Sequence, residues 1–227
     1  MIILDEKKRE VYIYDMIGPS WLGLDSGDAL VEALNTLGPG DVSIRINSPG
    51  GDVFEGFAMY NAIKRHEGVV TTHNDALVAS AATFPFLAGS VRKVAKLSSV
   101  MIHEASTFVA GRADDLMKAT DLLEKINLQL AELYSEVSGK SVEDILQMMK
   151  EETWMDPKQA KEMKFAYEEE KGPDVNNRIV PQGMYKHTPE NYLKPAMRLS
   201  AVKQRDESDR IRKLKIKSLT GIDFGVE

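Results

Sequence analysis

The chain has 227 residues, 43% of them hydrophobic, a formal net charge of −6 and no cysteine. This length allows one full hydrophobic core with an appendage, or two small domains. The lack of cysteine excludes a disulfide framework, a thiol nucleophile and a cysteine metal site, and the acidic balance argues against general nucleic-acid binding. Charges interrupt every apolar run well short of the roughly 20 residues that span a bilayer, and the N-terminus lacks a signal-peptide pattern. A cytoplasmic location is therefore expected.

The first third of the chain alternates between two hydrophobic patterns. Short runs of β-branched and aromatic residues predict strands, and runs with helical spacing that follow capping residues predict helices. The first helix has a possible cap at Asp25 or Ser26 and is followed by a Gly-Pro-Gly stop. The predicted strands are 9–16, 42–47 and 68–73, and the predicted helices are 25–37 and 52–66. The order favours a fold built from ββα units.

Residues 76–104 are the stretch around which the rest of the chain is expected to be organised. This stretch predicts a small-residue turn with one buried serine, Ser80, then an apolar helix over about residues 80–87, then a strand that ends at His103. Serine is a poor nucleophile until an adjacent base takes its proton, so a hydroxyl and an imidazole on neighbouring elements indicate a serine hydrolase. The alternative is that Ser80 is a helix cap or a small core residue.

The four histidines can be sorted by their surroundings. His66 follows two basic residues at a predicted helix end, where a cation is ordinary. His73 lies near a predicted strand end, and His187 lies in a polar, proline-bearing stretch. His103 follows a strand that would be fully buried and is the best placed of the four to act as a base, although a hydrogen-bonded core histidine is the alternative.

A glycine-rich loop connects the second predicted strand to the second predicted helix. It contains Pro49, Gly50 and Gly51, and glycines leave peptide N–H groups unshielded by side chains. The N–H groups of Gly51 and of Ala81, the latter at a helix N-terminus, could together stabilise the oxyanion of a tetrahedral intermediate. A tight strand-to-helix connection without a catalytic role is the alternative.

Three blocks of sequence carry a family resemblance. The blocks SIRINSPGGDVFEGFAMYNAI, ALVASAATFPFLAG and VMIHEAS resemble the signature blocks of ClpP, the proteolytic subunit of the Clp protease, and especially its phage-encoded relatives. The resemblance runs from about Glu10 to about Phe165. It implies an α/β, ClpP/crotonase-like spiral of ββα units with a long protruding handle helix.

The resemblance also implies a division of the chain. The protease domain would occupy residues 1–170, with a head at about 1–110 and 139–170 and a handle at about 111–138. Apolar residues recur at helical spacing over residues 114–137, as the handle requires. Residues 171–227 would form a polar and basic extension, including the basic stretch 203–217.

The resemblance implies roles for residues of this sequence. Ser80 matches the nucleophile and His103 the general base, with Gly51 and Ala81 at the oxyanion-hole positions. Glu152 stands where the family has an aspartate as the third member of the triad; Glu151 and Asp156 are the rivals, and Asp156 is better explained as a helix cap before Pro157. The residues expected beside an extended substrate are Pro49, Gly50 and Glu104.

The function implied is a serine endopeptidase that cleaves polypeptides inside a ring homo-oligomer of two stacked rings, without a metal or an organic cofactor. The phage-type likeness suggests prohead or capsid maturation in the host cytoplasm, with capsid or scaffold proteins as partners and an extension after about Pro189 that is removed or docks such a partner. The chain begins almost at the first predicted strand, which weakens the case for an ATPase unfoldase partner. A non-catalytic ring or scaffold protein and, less favoured, a crotonase-like acyl-CoA enzyme are the alternatives.

Overall fold

A computed structural model describes residues 2–171 and 184–188, all within one compact unit of residues 1–193. These residues form an eight-stranded mixed sheet with helices packed against it. The strands are β1 Ile3–Asp5, β2 Glu10–Ile13, β3 Val42–Ser48, β4 Val70–Ala79, β5 Val91–Ala95, β6 Ser99–Ile102, β7 Thr153–Met155 and β8 Glu168–Glu170. The predicted extension after Pro189 and the basic stretch 203–217 lie outside the described residues.

Strand β4 is the branch point of the sheet. The main path runs β1-β2-β3-β4-β5-β8, antiparallel between β1 and β2 and parallel from β2 onward. The first half of β4 pairs with β5, whereas its last residues pair in parallel with β6, which in turn pairs antiparallel with β7. The C-terminal ends of β4 and β6 and the start of β7 therefore lie side by side.

Six helices cover the described part of the sheet or flank it. They are α1 Gly27–Leu37, α2 Val53–Arg65, α3 Thr83–Ala88, α4 Ala113–Ser138, α5 Val142–Lys150 and α6 Pro157–Glu162. Ser26, rather than Asp25, caps α1 by accepting the N–H of Ala29, and Asp52 caps α2 in the same way. Asp156 caps α6 as the sequence indicates, because its carboxylate satisfies an N–H that has no intrahelical acceptor.

The strand predictions were incomplete and in one place wrong. Strands β1, β5, β7 and β8 were missed. The strand predicted over residues 68–73 in fact extends to Ala79, so that the expected small-residue turn before Ser80 is sheet. Alanine has a weak strand propensity, but pairing with β3, β5 and β6 on both sides of β4 overrides it. His73 is consequently inside β4 and not near its end.

The core lies between the sheet and the helices, and it includes the aromatic side chains of Phe84, Phe86, Tyr134 and Phe165. The long helix predicted over residues 114–137 is present as α4. Its buried residues all lie in its second half, from Ile126 onward, while Leu116 and Leu122 near its start are exposed. Among the described residues, no helix combines the length and apolar character needed to cross a membrane.

Candidate active site

Ser80 lies at a sharp turn between β4 and α3. Strand β4 ends at Ala79, and Ser80 begins a 3-10 turn, Ser80–Ala82, that leads directly into α3. The φ angle of Ser80 is +53°, in the left-handed region that non-glycine residues seldom adopt. Such backbone strain costs on the order of 1–3 kcal/mol and is concentrated at functional sites. Ser80 is half-buried, and not buried as predicted.

The sheet brings His103 to Ser80. His103 directly follows β6, and β6 pairs with β4 in a register that sets Met101 opposite Ala79. Parallel neighbouring strands thus deliver the two side chains to the same edge. The Nε2 atom of His103 lies 2.8 Å from the Oγ atom of Ser80, which is hydrogen-bond distance. The pair has the geometry of an activated nucleophile and its base.

The surroundings of His103 favour the neutral imidazole. Burial lowers its pKa from the ordinary value because the charged form loses hydration, and the negative charge of Glu152 opposes part of this shift. A neutral imidazole can accept a proton, as a general base must.

The glycine loop packs directly on the turn that contains Ser80. The Ile17 N–H donates to the Gly50 carbonyl at 2.9 Å, and the Ile17 carbonyl accepts the Asp52 N–H at 2.9 Å, so the loop is held at both ends. A Cβ atom on Gly50, whose φ is +88°, would lie 2.5 Å from the Ala79 carbonyl oxygen and 2.9 Å from the Ala81 nitrogen. The loop that contains Gly51 and the turn that contains Ala81 are therefore in close contact.

Glu152 lies close to His103 but is not bonded to it. It precedes β7, whose first residue, Thr153, pairs with Ile102, and it is buried with a φ of +54°. Both residues lie in the described part of the chain, and no hydrogen bond joins them. The Glu152 carboxylate instead accepts the Trp154 indole N–H at 3.1 Å and two peptide N–H groups at 2.6 and 2.7 Å.

Burial by itself would raise the pKa of the Glu152 carboxyl. The hydrogen bonds from His187, Trp154 and Lys186 outweigh burial and lower the pKa, so the group is a carboxylate. The rivals for the acid role are placed differently. Glu151 is exposed and accepts the side-chain amide of Gln147, and Asp156 caps α6.

The sequence analysis missed a residue that contacts the site. Tyr185 is buried, its ring centroid lies 5.0 Å from that of His103, and its hydroxyl donates to the Pro49 carbonyl. In the sequence, the Met184-Tyr185 pair is merely a short apolar interruption of a polar stretch, which no periodicity distinguishes. The remaining residue expected near the substrate, Glu104, is exposed, and its N–H donates to the Met149 carbonyl at 3.3 Å.

The family comparison covers the whole Ser-His site. The sequence model of the family named Clp protease matches residues 28–167, a range that includes Ser80, His103 and Glu152. Residues 184–188, with Tyr185, lie outside that range.

Individual relatives agree with the family match. ATP-dependent Clp protease proteolytic subunit 1 of Corynebacterium jeikeium is 34% identical over 127 residues, which are 55% of this chain and 68% of that protein. Subunit 2 of Corynebacterium diphtheriae is 33% identical over 124 residues, 54% of this chain and 62% of that protein. The proteolytic subunit of Bacteroides fragilis is 32% identical over 132 residues, 57% of this chain and 64% of that protein.

A solved structure shows the same fold. A mutant of ClpP1 from Listeria monocytogenes superposes with a TM-score of 0.65 at 22% sequence identity, over 74% of this chain and 95% of that one. The chain thus has the mixed α/β fold of ClpP.

Proposed function

Because this chain belongs to the Clp protease family, we propose that it is a serine endopeptidase in which Ser80 is the nucleophile and His103 the general base. The observation that supports this most strongly is the 2.8 Å separation of His103 Nε2 and Ser80 Oγ at a strained strand-to-helix turn. Backbone strain is concentrated at functional sites, and an imidazole at hydrogen-bond distance is what activates a serine hydroxyl.

The proposed reaction is acyl transfer. His103 takes the hydroxyl proton as Ser80 Oγ forms a bond to the carbonyl carbon of the substrate. The N–H groups of Gly51 and Ala81 stabilise the oxyanion, each contributing about 2.7–4 kcal/mol in comparable sites. His103 then protonates the leaving amine, and a water molecule, deprotonated by the same imidazole, releases the acyl group from Ser80. Glu152 is the proposed acid that orients the imidazole.

The substrate would be an extended polypeptide. It would add as a strand beside Pro49 and Gly50 on one side and the segment that begins at Glu104 on the other. The phage-type likeness of the sequence blocks supports capsid or scaffold proteins as substrates in prohead maturation.

The proposed assembly is a homo-oligomer of two rings that contact each other through α4. Leu116, Met117 and Leu122 in the first half of α4 are 44, 66 and 49% exposed in the single chain. An exposed apolar surface of this kind is typical of a protein interface.

A second candidate is a non-catalytic ring or scaffold protein. It is favoured by one observation, the absence of a hydrogen bond between the described residues Glu152 and His103. The two candidates differ in whether Ser80 can react.

The test is intact-mass analysis after treatment with a fluorophosphonate probe. We expect one covalent adduct on the unaltered chain, and none on Ser80→Ala or His103→Ala, because the reaction needs both the hydroxyl and the base. Ser90→Ala, which removes an exposed serine outside the site, is the matched control and should react like the unaltered chain. An adduct that persists in Ser80→Ala would contradict the assignment.

A further inference from the structure

Residues 184–188 cover the candidate active site from within the same chain. Tyr185 is 8% exposed and belongs to a small apolar cluster with Leu77, Ala79 and Met101, against which Trp154 and Met184 also pack. The Tyr185 ring meets His103 edge-on at 5.0 Å and Trp154 at 6.1 Å between centroids. The segment therefore inserts an aromatic anchor into a pocket that adjoins the Ser-His pair.

The phenol of Tyr185 lies among the groups expected to handle a substrate. Its hydroxyl donates to the carbonyl of Pro49, in the glycine loop. Burial raises the pKa of Tyr185 well above its ordinary range, and the nearby Ser80 hydroxyl opposes part of that shift. The phenol thus remains protonated and occupies space between the loop and the nucleophile.

The same segment engages the proposed acid. The Lys186 N–H donates to Glu152 Oε2 at 2.6 Å, and the His187 N–H donates to Glu152 Oε1 at 2.7 Å. The His187 ring nitrogen Nδ1 lies 3.1 Å from the Glu151 carbonyl oxygen, and the Thr188 hydroxyl donates to the Tyr185 carbonyl, which holds the segment in a turn. The two hydrogen bonds to the Glu152 carboxylate are charge-assisted, and such bonds are among the stronger ones in proteins. Both carboxylate oxygens of Glu152 are thereby bound to the segment instead of to His103.

The segment is arranged as an obstruction and not as a substrate. The group placed beside Ser80 is a phenol, whereas cleavage requires a peptide carbonyl carbon about 3 Å from the nucleophile. We propose that residues 184–188 are a tethered inhibitor, which blocks the substrate site with Tyr185 and holds Glu152 away from His103 until the segment is released. This proposal rests on the proposed function, since it concerns the regulation of that same site.

Tethering makes a weak contact effective. A covalently attached segment faces a site at an effective concentration in the millimolar range, so even modest affinity keeps the site mostly occupied. Loss of the Tyr185 ring removes the anchor of the segment. We therefore expect Tyr185→Ala to react with a fluorophosphonate probe roughly tenfold faster or more than the unaltered chain.

Two comparisons separate release of the segment from general loosening. Trp21→Ala removes a 79% exposed aromatic side chain elsewhere and should leave the labelling rate unchanged. Lys186→Pro removes the N–H that Glu152 accepts, whereas Lys186→Ala retains it, so the proline variant should react faster than the alanine variant. Measurable but equal labelling rates in the unaltered chain, Tyr185→Ala and Lys186→Pro would overturn the proposal. So would cleavage of the unaltered chain within residues 184–188 that Ser80→Ala abolishes, because the segment would then be a substrate.

A binding experiment keeps this proposal separate from the proposed function. Calorimetry would measure the binding of the peptide acetyl-Met-Tyr-Lys-His-Thr-amide to the full chain with Ser80→Ala and Tyr185→Ala, and to the full chain with Ser80→Ala alone. We expect binding to the double variant, binding weaker by about tenfold or more where Tyr185 competes, and none for a peptide with alanine in place of tyrosine. If no variant reacts with the probe, the proposed function fails. Peptide binding would then still support the proposal that Tyr185 occupies a pocket beside Ser80, and the absence of peptide binding would overturn that proposal.

Discussion

Gly50 offers a quantitative test of how the glycine loop supports the Ser80 turn. Its φ of +88° is a backbone conformation that L-residues seldom adopt, and a side chain there would press on the turn. A Cβ atom would lie 2.5 Å from the Ala79 carbonyl oxygen and 2.8 Å from Ser80 Cβ. Gly50→Ala thus combines backbone strain with displacement of the proposed nucleophile.

The expected cost can be divided between these two causes. Left-handed backbone costs an L-residue about 1–2 kcal/mol, and forcing an extra methyl group into packed surroundings costs typically about 1–3 kcal/mol. Gly23, with a φ of +74°, is the matched control because a Cβ there would meet no described heavy atom within 4 Å. Gly23→Ala should therefore lower the free energy of unfolding by about 1–2 kcal/mol, and Gly50→Ala by about 2–5 kcal/mol.

Urea unfolding followed by tryptophan fluorescence would measure the stability of both variants, and fluorophosphonate labelling would measure the site. We expect Gly50→Ala to label about tenfold to a hundredfold more slowly than its parent, since displacements near 1 Å at a reacting centre have effects of that size. Gly23→Ala should label at the parental rate. If the two variants lost the same free energy and labelled alike, the loop could not be supporting the turn as argued.

Two further outcomes follow from the environment of the Ser-His pair. Burial lowers the pKa of His103, whose neighbours are Ser80, Glu152 and Tyr185. As the pH is lowered, the labelling rate should therefore fall with a midpoint below the ordinary histidine pKa of about 6.5, and a midpoint above this value in the unaltered chain would contradict the assignment. Tyr185→Ala exposes the imidazole and should move the midpoint upward. The Tyr134 hydroxyl donates to Thr83 Oγ1 at 2.7 Å, because Thr83 itself donates to the Ser80 carbonyl at 2.6 Å; Tyr134→Phe should therefore cost about 0.5–1.5 kcal/mol of unfolding free energy in urea, and no loss would show that this bond is not stabilising.

The local elements were predictable because their causes are local. Helices α1, α2 and α4 follow from helical spacing and from capping residues such as Ser26 and Asp52, and α6 follows from Asp156 before Pro157. The extent of β4 and the existence of β1, β5, β7 and β8 were not predictable in this way. Strand length depends on which neighbours pair with it, and those partners are distant in the sequence.

For the site, the sequence determined the chemical groups and the tertiary structure decided their contacts. The residue types and order indicated Ser80, His103 and the glycine loop, since a nucleophile, a base and unshielded N–H groups are recognisable from side-chain chemistry. The 2.8 Å pairing of Ser80 and His103 depends on the register of β4 with β6, and the hydrogen bonds of Glu152 depend on a segment more than 30 residues away in the chain. Tyr185 had no distinguishing pattern at all, because its burial results from long-range packing, which leaves no periodic signal in the sequence.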